Sequence, residues 1–262
     1  MEAAYRKVDI GGVRISNIAL EEVIDEFRLI IKEKKKVRVC VTPVNCVVWA
    51  SNNPNLRNIY NSADFTLCDG VPLIWASRFL GEPLKGRVTG LDLLPKFIET
   101  CHTEAFSIFL LGAKDGVGEF LKQKLEKEFP GIKVVGIYSP PFAEKFSKEE
   151  NEKMMQLINN VKPDVLWVSL TAPKQDYWIY ENIDFLDVHI AIGVGGAFEV
   201  TAGLIDRAPK FMQKNGLEWL YRFVKEPRRL FKRYFVEAPM FIPIIIKQKF
   251  VVRKNKERNT RS

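Results

Sequence analysis

The sequence predicts an α/β fold: a mainly parallel, Rossmann-like sheet with helices on both faces, followed by a helical, basic C-terminal appendage. Three observations carry that expectation. Strand-like apolar runs alternate with runs whose apolar residues recur near every 3.6 positions. Two of the strand-like runs, Val165–Leu170 and His189–Val194, are almost wholly apolar, as strands covered on both faces are, and each ends in a loop of small residues. From Arg207 onward sixteen Lys/Arg stand against four acids, a net charge of +12, whereas residues 1–206 carry a net −4.

In chain order, Val8–Ile15 alternates around Gly11-Gly12 and reads as a small hairpin at the sheet edge. Leu20–Lys35 reads as a helix and Val37–Val41 as a buried strand. Phe65–Cys68 is a short strand ending at Asp69, where Gly70 turns the chain into an apolar helix. Leu91–Cys101 is helical, Phe106–Leu111 a strand, Gly118–Glu128 a helix, and Lys133–Tyr138 a strand reached after Pro130-Gly131. Lys148–Asn160 is a helix stopped before Pro163. Val165–Leu170 and His189–Val194 complete six strands. The division is a core over 1–205 and an appendage over 206–262.

At 262 residues and 47% hydrophobic content the chain can bury a large core and is ordinary for a folded enzyme or binding module. Met1–Lys7 holds no apolar stretch, so no secretory signal is expected. Cys40, Cys46, Cys68 and Cys101 form no C-x-x-C pair and read as reduced core residues of a cytoplasmic protein. Only His102 and His189 are present, and neither has a metal-ligand spacing or a triad context. In the appendage, aromatic and aliphatic residues such as Trp219, Phe223 and Phe231 are interleaved with Lys and Arg. That composition suits an anionic membrane surface better than nucleic acid, with packing on its own core or on another subunit as the alternative. The apolar run Ala238–Ile246 is too short to span a bilayer, which needs roughly 20 apolar residues. The expected location is therefore peripheral, on the inner face of the cell membrane.

Candidate site residues gather at predicted C-terminal strand ends. Asp69 stands where β turns to α; it fits either a general base or an N-cap for the helix that follows. Thr42 and Asn45, at the end of Val37–Val41, could orient a sugar hydroxyl or the Asp69 carboxylate, or form an ordinary turn. Gly112–Gly118 lacks the P-loop arrangement. Gly193-Val-Gly-Gly-Ala-Phe198 opens like a dinucleotide fingerprint but puts Phe198 at the third glycine, which disfavours an NAD-dependent enzyme. Gly195 still allows a ligand close to the backbone, and Glu199 could accept bonds from ribose hydroxyls or serve only as a first-turn acid. Gln175 can both donate and accept, as recognition of a uracil would need. Arg207, Arg222, Arg228 and Arg229 could take charge from a departing diphosphate, because guanidinium matches phosphate oxygens two at a time. Arg233 reads as solvated or lipid-facing. The chain has no D-x-D triplet, so no metal is expected and the arginines stand in for one.

Together these residues resemble the WecG/TagA/CpsF glycosyltransferase family, from about Val8 to Tyr234. The resemblance rests on Ala63-Asp64 with Asp69-Gly70, Arg87–Gly90 before Asp92, Ala172–Gln175 with Trp178, Gly193–Gly196 with Ala202-Gly203, Arg207–Pro209, and Gly216–Arg222 with Glu226–Arg228. No single piece is diagnostic; the ordered set is. The resemblance implies an inverting transferase that moves N-acetylmannosamine or a related sugar from a UDP donor to undecaprenyl-diphosphate-linked N-acetylglucosamine. The product would feed teichoic acid or another surface polysaccharide. It also implies Asp69 as base, Asn45 in the same pocket, Gln175, Arg222 and Arg229 at the donor or its phosphates, and an appendage that covers the site and meets the membrane. Glu199, where many members have Asp, and Pro72, where a glycine is common, depart from the family pattern. A non-catalytic, membrane-associated nucleotide-binding protein is the alternative.

Overall fold

The computed structural model describes residues 5–259, excluding the side chains of Lys214 and 252–259. Strands β1 (Lys7–Ile10) and β2 (Val13–Ser16) form the expected antiparallel hairpin. It lies against the sheet edge, where the Ser16 hydroxyl accepts the Thr66 amide at 3.0 Å. The chain continues through α1 (Leu20–Lys32), β3 (Val37–Pro43), α2 (Val44–Asn52), α3 (Pro54–Asn61), β4 (Phe65–Asp69) and α4 (Val71–Leu80). Then follow α5 (Gly90–Thr103), β5 (Ser107–Gly112), α6 (Val117–Glu128), β6 (Lys133–Tyr138), α7 (Lys148–Val161), β7 (Val165–Ser169), α8 (Lys174–Asn182) and β8 (Ile190–Gly193). After β8 come the short helices α9 (Ala197–Thr201), α10 (Lys210–Lys214), α11 (Glu218–Lys225) and α12 (Pro227–Phe231), a π turn over Lys232–Glu237, and α13 (Phe241–Asn259).

Strands β3 to β8 form one all-parallel sheet in the order β4-β3-β8-β7-β5-β6. The chain winds outward from β3 to β4, crosses over, and returns through β7 to β8 beside β3. That reversal opens a crevice at the C-terminal ends of β3 and β8, because the connections leaving them go to opposite faces. On one face α1, α5, α6 and α9 bury Phe27, Phe97, Leu121 and Phe198 against Val39, Leu110 and Trp167. On the other, α2 and α3 close over Cys40 and Cys68, and α7 and α8 close over Phe109 and Leu166.

Local chemistry sets the boundaries. α1 begins where the Glu22 carboxylate accepts the Ala19 amide at 2.8 Å. It ends at Lys32 rather than at Lys35, because Lys34 turns to φ 54°. Thr89 caps α5, its hydroxyl accepting the Asp92 amide at 3.1 Å. The Thr42–Asn45 segment is not a loop: Pro43 ends β3, and α2 starts at Val44. This helix buries Cys46, Val47, Val48 and Ala50. Its sequence therefore lacks the polar stripe that betrays a helix at a surface.

Candidate active site

Asp69 ends β4 beside Pro43 of β3. It does not cap α4: the N-cap is Gly70, at φ 124°, with no side-chain cap bond. The carboxyl is thus free for another role. Burial pushes its pKa up to about 6; the charges of Arg233, Arg222 and Arg87 oppose that rise and Glu218 adds to it. Arg87 arrives because the loop after α4 returns along the sheet, the Val88 amide bonding the Cys68 carbonyl at 2.8 Å.

Asn45 lies in the first turn of α2 and is 3% exposed. Thr42 is fully buried and donates its hydroxyl to the Cys40 carbonyl of its own strand at 3.4 Å. Side chains alternate along a strand. Thr42 therefore shares the side of Cys40 and Cys68, whereas Asp69 follows Phe65 and Leu67 on the other. The structure brings Asn45 and Asp69 to neighbouring strand ends and leaves Thr42 beneath them.

The loop after β8 is held from two directions. The Gln175 side-chain carbonyl accepts the Gly195 amide at 2.9 Å, and the Ser169 hydroxyl donates to the Gly195 carbonyl at 2.6 Å. A Cβ on Gly193 would come within 2.7 Å of Gln175 Nε2, so only glycine lets the two approach. Gln175 is 2% exposed, with its carbonyl spent on this loop and its amide nitrogen beside the strand end. Beyond it, Arg222 Nη2 and Glu199 Oε2 each lie 3.8 Å from the Cβ position of Gly196. Glu199 Oε2 is buried without a hydrogen-bond partner among the described residues. An orphan acceptor of this kind costs stability unless something donates to it.

Under Gln175, Asp176 is fully buried and accepts the Tyr60 hydroxyl at 3.0 Å, with its Oδ1 unpartnered. Burial pushes its pKa up to about 7. A carboxyl whose folded pKa lies above its unfolded value stabilises the fold fully at low pH and loses that contribution as pH climbs to the folded value. Asp176→Asn is therefore expected to cost more stability at pH 5 than at pH 8. Urea melts at the two pH values check this; an equal loss at both would show that the carboxyl is not protonated in the fold.

The arginines divide. Arg207 is committed to the protein: Nη2 bonds Asp92 at 2.6 Å, Nε bonds Glu218 at 2.8 Å, and Nη1 bonds the Leu91 carbonyl at 3.1 Å. Arg228 and Arg229 are exposed, and Arg229 pairs with Glu226 at 2.5 Å. Only Arg222 of the four stands at the glycine loop. Arg233, expected in solvent or lipid, instead has the largest opposing effect on Asp69. A straight helix would align positions 222, 229 and 233, yet the structure keeps Arg222 and Arg233 near Asp69 and turns Arg229 outward. The chain breaks at Glu226 (φ −135°) before Pro227, and the π turn over Lys232–Glu237 shifts the phase again. Arg87 was visible only as part of a motif.

Among the described residues no three His, Cys, Asp or Glu side chains gather as a metal site would require. All four cysteines are buried and unpaired. Among the described residues no helix is long and apolar enough to cross a membrane. The appendage exposes Val224, Phe231, Ile242 and Phe250.

The chain is 28% identical over 252 residues to the N-acetylglucosaminyldiphosphoundecaprenol N-acetyl-beta-D-mannosaminyltransferase of Staphylococcus aureus strain MRSA252, covering 95% of this chain and 96% of that one. It is 29% identical over 198 residues to the protein of the same name from Bacillus spizizenii, covering 76% of this chain and 74% of that one. The profile described as glycosyl transferase WecG/TagA/CpsF family matches residues 8–255. A match of that extent, on this fold and this sheet edge, places the chain in the WecG/TagA/CpsF family of glycosyltransferases.

Proposed function

We propose that this chain is an inverting transferase that moves N-acetylmannosamine, or a closely related sugar, from a UDP donor to undecaprenyl-diphosphate-linked N-acetylglucosamine. The acceptor class follows the names of its relatives. The observation that carries the mechanism is a carboxyl with a pKa of about 6 at the sheet edge, with cations from the appendage acting on it.

In this reading the acceptor hydroxyl attacks the anomeric carbon as Asp69 takes its proton. The bond from that carbon to the UDP oxygen breaks on the opposite side, which inverts the configuration. A base with a pKa near 6 is ionised at neutral pH and a better proton acceptor than an ordinary aspartate. Charge develops on the departing diphosphate, where Arg222 and Arg233 offset it. Asn45 orients the acceptor or the carboxylate, and Thr42 supports the strand end from below. The Gln175 amide and the orphan Glu199 oxygen hold the nucleoside, close to the backbone at Gly195. Arg207 braces the appendage. Arg228 and Arg229 bind phosphate only if α12 turns inward when substrate arrives. No metal is required, since guanidinium groups supply the positive charge. The basic, apolar appendage brings the enzyme to the anionic inner face of the membrane, where its lipid-linked acceptor is embedded. The product feeds teichoic acid or another surface polysaccharide.

The deciding experiment is a transfer assay with a short-chain lipid acceptor and a panel of UDP-sugars, with and without EDTA. The expected result is transfer from UDP-N-acetylmannosamine at a rate that EDTA leaves unchanged. Loss of rate restored by Mg²⁺ or Mn²⁺ would refute the arginine-for-metal mechanism. Thermal stabilisation by UDP without any transfer would instead favour a non-catalytic nucleotide-binding protein.

A further inference from the structure

The appendage that carries Arg222 and Arg233 is fastened at two points. At its root Arg207 bridges Asp92 on α5 and Glu218 on α11. At its far end α13 lays Phe241 and Ile245, 6% and 5% exposed, into the apolar cluster shared by the β1–β2 hairpin, α2 and α4. There Gln248 meets the hairpin turn. Its Oε1 accepts the Gly11 amide at 2.8 Å, while Nε2 donates to the Asp9 carbonyl at 2.9 Å and to Asp9 Oδ1 at 2.8 Å. Gly11 lies at φ 66°, and a Cβ there would come within 2.7 Å of Val47 Cγ1 and 3.1 Å of Ile244 Cγ2. The turn is therefore pressed between the core and α13, with its one inward amide bonded by Gln248.

Between the two fastenings the chain has little grip of its own. From 219 to 237 only Leu230 is buried among the described side chains, and Val224, Phe231 and Phe235 are at least half exposed. Ordering such a segment costs backbone entropy at every residue. Its aromatic pairs, Trp219 with Tyr234 and Phe235 with Phe223 and Phe231, lie within the segment itself, so its ends fix where it sits on the core.

We propose that Gln248 is a positioning residue for the transferase: by bonding Asp9 and Gly11 at the hairpin turn it holds the appendage down and keeps Arg233 within reach of Asp69. The proposal rests on the functional reading above, and its test separates the two.

In the full chain, Gln248→Glu still accepts the Gly11 amide but sets a carboxylate against that of Asp9. Gln248→Lys can donate to Asp9 instead. We expect Q248E to lower kcat/KM about tenfold, as loss of charge-matched hydrogen bonds does, and Q248K to stay within about threefold of wild type. In an Arg233→Met background Q248E should cost less than about twofold more, because both changes remove the same contribution. Hydrogen–deuterium exchange of Q248E should rise across residues 9–12 and 219–237 and stay unchanged in β3 to β8. Equal losses in Q248E and Q248K, losses that multiply with R233M, or unaltered exchange over 219–237 would each overturn the proposal. The exchange measurement needs no turnover. If the wild-type enzyme transfers no sugar while exchange responds as stated, the fastening stands and the transferase reading falls.

Discussion

Asp69→Asn is expected to lower kcat by about 10²–10⁴-fold, the range that a positioned general base contributes. UDP should still raise the melting temperature of the variant, because the proposed nucleoside contacts, Gln175 and Glu199, are other residues than Asp69. The wild-type rate should fall on the acid side with an apparent pKa near 6, and that limb should vanish in the variant. Stability should move the other way. The Asp69 carboxyl titrates above its ordinary value because it is buried, so the fold gives up stability as pH rises through that range. Asparagine has no charge to bury, and the variant should be at least as stable as wild type at pH 8. A dead but stabilised protein is the signature of a residue kept for chemistry. Near-normal turnover by Asp69→Asn would remove it as the base.

The second large effect belongs to the cations. Arg222→Met should lower kcat by about 10²–10³-fold, as deletion of one donor to a developing negative charge does elsewhere. Arg233→Met should lower kcat and also move the acid limb. With one opposing cation gone, the neutral form of Asp69 gains ground, its pKa rises, and the limb shifts to higher pH. Methionine keeps the stem volume, so hydration of the carboxyl is not the variable. Arg228→Met and Arg229→Met test whether α12 turns inward: both side chains are exposed as the chain stands, and Arg229 is paired with Glu226. pH–rate profiles of the four variants separate these roles. An unmoved limb in Arg233→Met would dissociate that arginine from the base.

Most of the sheet was legible because its strands announce themselves by composition. Val165–Ser169 and Ile190–Gly193 are buried on both faces, and short apolar runs bounded by turn residues read as strands of a covered parallel sheet. The hairpin was legible through alternation around Gly11-Gly12. α2 was not, since a helix buried on all sides has no periodic stripe. Within the site, residues at strand ends such as Asp69 and Gln175 could be placed because strand ends share one edge in a parallel sheet. Thr42 was grouped with Asp69 because both stand at strand ends, but the pleat sends the two side chains to opposite faces. The arginines were the least legible. Which of them faces the carboxyl depends on the break before Pro227 and on the π turn, and neither leaves a pattern that spacing can read. Arg207 was read as a phosphate ligand, yet its geometry is that of a brace between two acids.

The bond between Gln248 and the hairpin joins positions more than 230 residues apart. A chain leaving the ribosome builds its sheet first and can close this contact only when nearly everything has been translated. The carboxylate and Arg87 are in place early, and the guanidinium groups of Arg222 and Arg233 arrive last. Under the proposed mechanism, a chain terminated before the appendage would carry Asp69 without Arg222 and Arg233.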